Sequence, residues 1–169
     1  ANPAMKKPLP VGRCPFSPSS SSINFSAKLQ REMTRIDFYQ LDPERHSQDR
    51  IVCQLCQKAY ESRQPTLLLT QSPEQAAHLD RQLWIFEEDS FVPHDLQEST
   101  DFETPILIQD EPELKSNRKL LINLTDKIPD YFGRFERVIE LVTQDNRRQA
   151  REHYNFYRER GYPIKHHPL

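Results

Sequence analysis

The sequence predicts an α/β fold: a mostly parallel sheet with helices on both faces. Two observations carry this. Short, continuously apolar runs alternate along the chain with longer stretches of helical periodicity. Such runs, in place of strict apolar–polar alternation, mark strands buried on both faces, and both-face burial is the habit of parallel sheets.

Each element has its own signal. Ile36 to Leu41 alternates apolar and polar residues as a strand does, and Pro43 closes it. Residues 47–63 place Ile51, Val52, Leu55, Cys56 and Ala59 on one helical face, before Pro65. Thr66 to Thr70 is a short apolar strand. Ser72 then reads as a helix cap, with Pro73 at the first position and Gln75 three residues after the cap. That helix carries Ala76, Leu79, Leu83 and Trp84 on one side. Phe91 to His94 reads as irregular. Residues 105–109, 119–124 and 135–142 read as strands, and a last helix over 144–160 ends at Gly161. His166 and His167, among Pro163, Lys165 and Pro168, read as a mobile polar end.

Residues 1–32 read as a disordered leader or tail, and 33–169 as one domain. The first segment holds five prolines and the run Ser19 to Ser22, without apolar periodicity. It is either a native tail or a leader foreign to the native protein, with Met33 as the true start. Two lysines near the N-terminus have no apolar run behind them, so no secretion signal is expected. No stretch approaches a membrane span. Three cysteines, Cys14, Cys53 and Cys56, fit a reducing, cytoplasmic setting.

The 169 residues carry a formal charge of -2, 36% hydrophobic residues and a mean hydropathy of -0.82. Residues 1–32 hold five basic residues against Glu32, so the remainder has 18 basic and 24 acidic. An acidic domain is a poor general binder of nucleic acid.

Enzyme chemistry finds little support. The glycines are Gly12, Gly133 and Gly161, and none sits between the first strand and first helix, where a phosphate loop belongs. Cys53 and Cys56 form a C-x-x-C, but it falls in mid-helix and no later cysteine supplies a second zinc pair. At least one of the two is expected in the core. His94 has no evident nucleophile or carboxylate partner within its motif and reads as a loop-stabilising residue. The Glu87-Glu88-Asp89 run reads as a solvated turn. No cofactor, metal or catalytic residue is expected.

The informative segment is the last helix. Arg147, Arg151, Tyr154 and Arg158 are spaced by four, three and four residues, which lines them along one stripe. Ala150, His153 and Tyr157 form another stripe suited to packing on the sheet. Residues 144–169 hold six basic residues against three acidic ones. Arginine forks suit carboxylates and phosphates. Such a helix is either a binding surface or an ordinary solvated face whose arginines pair with Glu152 and Glu159.

Several motifs together resemble the chi subunit of the bacterial DNA polymerase III holoenzyme. They are Ile36 to Asp42, Ala76 to Trp84, Asp89 to Leu96, and Ala150 to Arg158 followed by Gly161-Tyr162. The resemblance spans about 33–162 and implies a Rossmann-like three-layer fold without a nucleotide site. It also implies a non-catalytic clamp-loader accessory that binds the acidic C-terminal tail of single-stranded DNA-binding protein (SSB), a peptide ending in Pro-Phe. The tail site it implies comprises Val142, Arg147, Arg148, Arg151, Tyr154 and Asn155, where Asn155 stands at a place often basic in the family. The surface for the psi subunit, or an equivalent protein, falls on Trp84 and Phe91, for which plain core packing is the competing reading. DNA is then reached only indirectly, and no membrane is involved. The alternative is a module that binds single-stranded nucleic acid directly through the same basic helix.

Overall fold

The computed structural model describes residues 33–89, 91–97, 103–110 and 117–169, so residues 1–32, read as a disordered leader or tail and holding Cys14, lie outside the described residues. The elements run β1 (Arg35–Gln40), α1 (Gln48–Glu61), β2 (Thr66–Leu69), α2 (Pro73–Ile85), β3 (His94–Asp95), β4 (Ile106–Gln109) and β5 (Leu120–Asn123). A 3₁₀ turn (Phe132–Arg134), β6 (Arg137–Val142), α3 (Arg147–Glu159) and β7 (Ile164–Pro168) complete the order. Among the described residues the sheet has seven strands in the order β3-β4-β2-β5-β6-β1-β7, and every pairing is parallel. This is the α/β three-layer arrangement read from the sequence.

The apolar strands are continuous because both faces are covered. Leu68, Ile106, Ile108, Leu120 and Ile122 pack with α1 and α2, while Leu67, Leu69, Leu107 and Leu121 pack against α3 and the 3₁₀ turn. Helix ends follow local chemistry. Ser72 Oγ accepts from the Gln75 amide at 3.2 Å, with Pro73 in the first turn. At the end of α3, Gly161 adopts φ +76°, which lets its amide reach Arg158 O (3.0 Å) and the Tyr162 amide reach Tyr157 O (3.1 Å). That pair of bonds is a Schellman cap, and glycine takes the left-handed position without a Cβ penalty.

Two elements depart from the sequence reading. Phe91 to His94 was expected to be irregular, yet His94 and Asp95 pair with β4 as a two-residue strand. His166 and His167 are not a mobile end, because β7 pairs with β1 from Ile164 to Pro168. The reason lies opposite, in the buried Asp37. Its carboxylate is met by Arg137 and Arg35, and by His167 Nε2 at 3.1 Å. Burial alone would raise its pKa, but the bonds from His167 and Arg137 and the charges of Arg137 and Arg35 outweigh it and hold the value below 3.8. The His167 ring also stacks on Tyr39, with centroids 4.5 Å apart at 15°. The terminal strand is thus fixed by polar side chains and carries no apolar signature.

Candidate functional site

The β6–α3 connection shapes the site. Asn146 does not cap α3 with its side chain; it ties the turn together. Its Nδ2 donates to Leu141 O (2.8 Å), its Oδ1 accepts from the Thr143 amide (2.8 Å), and its own amide donates to Thr143 Oγ1 (3.3 Å). This short, pinned turn sets Val142, the last residue of β6, close to the first turn of α3.

A groove of about 350 Å³ opens between α3 and the carboxyl ends of the strands. Val142, Arg147, Arg151 and Tyr154 all line it, so four of the six residues of the expected tail site come together. Phe38, Gln40, Ala150 and His166 complete the lining. Tyr154 meets Phe38 edge-on at 5.9 Å and His166 at 5.4 Å, giving the groove an aromatic floor. Arg147 and Arg151 are exposed, and neither has a carboxylate within ion-pair distance among the described residues. The other two expected residues stand aside. Arg148 pairs with Glu152 at 3.4 Å on the solvent side, and Asn155 is exposed outside the lining. Arg158 continues the stripe beyond the groove.

A buried polar cluster fixes α3 to the sheet. Glu140 Oε1 accepts from Tyr157 OH and from Asn123 Nδ2, each at 3.0 Å. His153 Nδ1 lies 3.3 Å from Glu140 Oε2, and its Nε2 lies 3.2 Å from Asp126 O. Both ring nitrogens thus face acceptors, and only the imidazolium can donate to both. Burial pulls the His153 pKa down, but Glu140, the Asp126 carbonyl and Glu152 outweigh it, so the value rises above 6.5. A raised folded-state pKa gives stability that is fully present below the unfolded value and is lost as pH climbs through the folded one. Melting temperature is therefore expected to fall as pH rises from about 6 to 9, and to fall less steeply in His153→Gln. Equal slopes in the two proteins would sever the link to His153.

At the far end of the sheet, Trp84 and Phe91 lie on the surface, 57% and 60% exposed, with ring centroids 5.3 Å apart. The core-packing reading is corrected by this exposure. Ile85 and Leu96 are exposed with them. His94 anchors the platform: its Nδ1 lies 2.7 Å from Val92 O, its Nε2 lies 3.1 Å from Asp80 O, and its ring is 5.1 Å from Trp84. The loop-stabilising role read for His94 agrees with these bonds, but the Asp80 carboxylate also lies 3.3 Å from its Nε2, a partner outside the motif that the sequence did not show.

A groove of about 540 Å³ lies at the carboxyl ends of β2 and β4 and beside the Thr125–Tyr131 segment, the region where open α/β sheets often hold phosphates. Its charged lining is Asp110, Asp126 and Asp130 against Lys127, a sign that repels phosphate. Cys53 and Cys56 are both buried in α1. Burial, helped by Asp49, pushes the Cys53 thiol up to about 11, and burial raises Cys56 further. Neither offers a thiolate near neutral pH. Among the described residues no three His, Cys, Asp or Glu side chains gather as a metal site, and no helix is long and apolar enough to cross a membrane.

These features define a three-layer α/β protein with a parallel sheet, no phosphate loop among the described residues, and a basic groove beside its last helix. The chain belongs to the DNA polymerase III chi subunit (HolC) family, whose family model matches residues 33–165. It is 38% identical over 142 residues to the DNA polymerase III subunit chi of Pseudomonas aeruginosa, covering 81% of this chain and 98% of that one. The Haemophilus influenzae and Escherichia coli chi subunits are 36% and 31% identical over 120 residues, each covering 69% of this chain and 83% and 82% of their own. The family is that of accessory subunits of the bacterial replicative polymerase.

Proposed function

We propose that this chain is a non-catalytic cytoplasmic connector. Residues 33–169 form its working unit, consistent with a family match that begins at Met33. In this reading the groove under α3 takes the acidic C-terminal tail of SSB, while the Trp84–Phe91 platform takes the psi subunit or an equivalent protein of the clamp-loader complex. DNA is then engaged through SSB. The observation that carries the reading is the pairing of two exposed arginines, without carboxylate partners among the described residues, with an aromatic-floored groove. Arg147 and Arg151 receive the tail's carboxylates, and Val142 and Tyr154 flank its terminal phenylalanine. Opposite charge speeds encounter, and one buried aromatic supplies much of the binding energy. Affinity near micromolar, about -8 kcal/mol, suits a contact made and released repeatedly.

Titration of the full chain with a synthetic acidic peptide ending in Pro-Phe tests this. Saturable, salt-sensitive binding that drops sharply when the last Phe is removed is expected. A single-stranded oligonucleotide that binds more tightly than the peptide, with a steep salt slope, would favour the direct nucleic-acid reading instead.

The platform has its own test. Trp84→Ala with Phe91→Ala is expected to weaken capture of psi, or of the equivalent subunit, by at least about tenfold, since exposed aromatic anchors dominate such interfaces. Tail-peptide affinity is expected to be unchanged. Unimpaired capture would remove Trp84 and Phe91 from the partner surface.

A further inference from the structure

The groove has a side chain from a second element that the helix stripe does not include. His166 sits on the edge strand β7, in register with Phe38, and lines the groove opposite α3. Its ring stacks on Phe38 at 5.8 Å and lies 5.4 Å from Tyr154. Its neighbour His167 turns to the other face, where it bonds Asp37. The His166 ring nitrogens have no hydrogen-bond partner among the described residues, so they remain available to a ligand.

We propose that His166 is a third anion-contacting residue of the groove, which makes its hold on an acidic peptide depend on pH. The inference rests on the acidic-peptide reading of the site. Histidine changes charge between about pH 5 and 8, a range in which peptide carboxylates stay ionised. The groups facing His166 are Phe38 and Gln40 on β1 and Arg147, Arg151 and Tyr154 on α3; Lys165, His167 and Asp37 belong to the opposite face. A peptide carboxylate seated beside the ring attracts an imidazolium, so peptide binding and proton uptake favour each other.

The test titrates the full chain with the Pro-Phe-ended acidic peptide at pH 6 and pH 8, beside His166→Phe, which keeps an aromatic ring on Phe38 and Tyr154 and removes the proton site. The wild-type protein is expected to bind about two- to fivefold more tightly at pH 6, the worth of one exposed charge pair. His166→Phe is expected to lose that gain and to bind equally at the two pH values. A gain that persists in His166→Phe, or no gain in either protein, overturns the role of His166 and leaves the peptide reading standing. No saturable peptide binding at either pH overturns both.

Discussion

Replacing Tyr157 with alanine is expected to lower the free energy of unfolding by about 3–5 kcal/mol, the usual cost of deleting a buried aromatic ring. Tyr157 is fully buried, and its ring meets Phe132 at 5.3 Å, Phe156 at 5.6 Å, and Phe38 and Tyr162 at 6.3 Å. The substitution opens a cavity between α3 and the sheet and removes a hydroxyl donor from the buried Glu140. Tyr157→Phe separates the two effects. It keeps the ring and leaves Glu140 short of one donor, at an expected cost of about 1–3 kcal/mol. Urea denaturation of the three proteins reads both values. A domain of this kind holds about 5–15 kcal/mol in total, so the alanine variant loses a large share. A cost below about 1.5 kcal/mol for alanine would mean that α3 is held by something other than this ring.

That expectation rests on a helix whose inward stripe was legible: Ala150, His153 and Tyr157 repeat at helical spacing, and two of them are buried. The strands β2, β4 and β5 were legible for a related reason. Covered on both faces, each runs three apolar residues in a row, with its single polar residue at one end. β7 was not legible, because an edge strand half in solvent can be written as Ile-Lys-His-His-Pro. What fixes it is Asp37, 130 residues away in sequence from His167. Trp84 shows the opposite failure. It falls on the apolar side of α2 by spacing, yet it is exposed, and its ring meets Phe91 and His94 at the surface. Helical spacing gives a direction, and what covers that direction depends on the neighbouring loop.

The groove divides in the same way. Arg147, Arg151 and Tyr154 belong to one helix, so their shared face could be read from intervals of four and three. Phe38, Gln40 and His166 join them only because β6, β1 and β7 lie side by side in register. That order is a property of the sheet, since β1 and β7 stand more than 120 residues apart in the chain.

Removing both groove arginines, as Arg147→Ala with Arg151→Ala, is expected to weaken binding of the acidic SSB-tail peptide by about 30- to 100-fold. Exposed ion pairs contribute about 0–1 kcal/mol each, and charge-assisted hydrogen bonds made against an apolar floor contribute about 1.5–3. A half-open groove lies between these limits, so about 1–1.5 kcal/mol per arginine follows, near tenfold each. Melting temperature is expected to hold, because both side chains are exposed and without ion-pair partners among the described residues. Arg151→Lys sharpens the test: it retains the charge and loses the planar fork, so an intermediate loss is expected. Salt separates the two halves of the site. Raising ionic strength screens the arginines and not the apolar contact with Val142 and Tyr154. The wild-type affinity should therefore fall with salt toward that of the double variant, while the loss on deleting the terminal phenylalanine stays nearly constant. If the double variant binds as the wild type does, or keeps the full salt slope, the peptide's carboxylates are met elsewhere on the protein and the groove loses its assigned ligand.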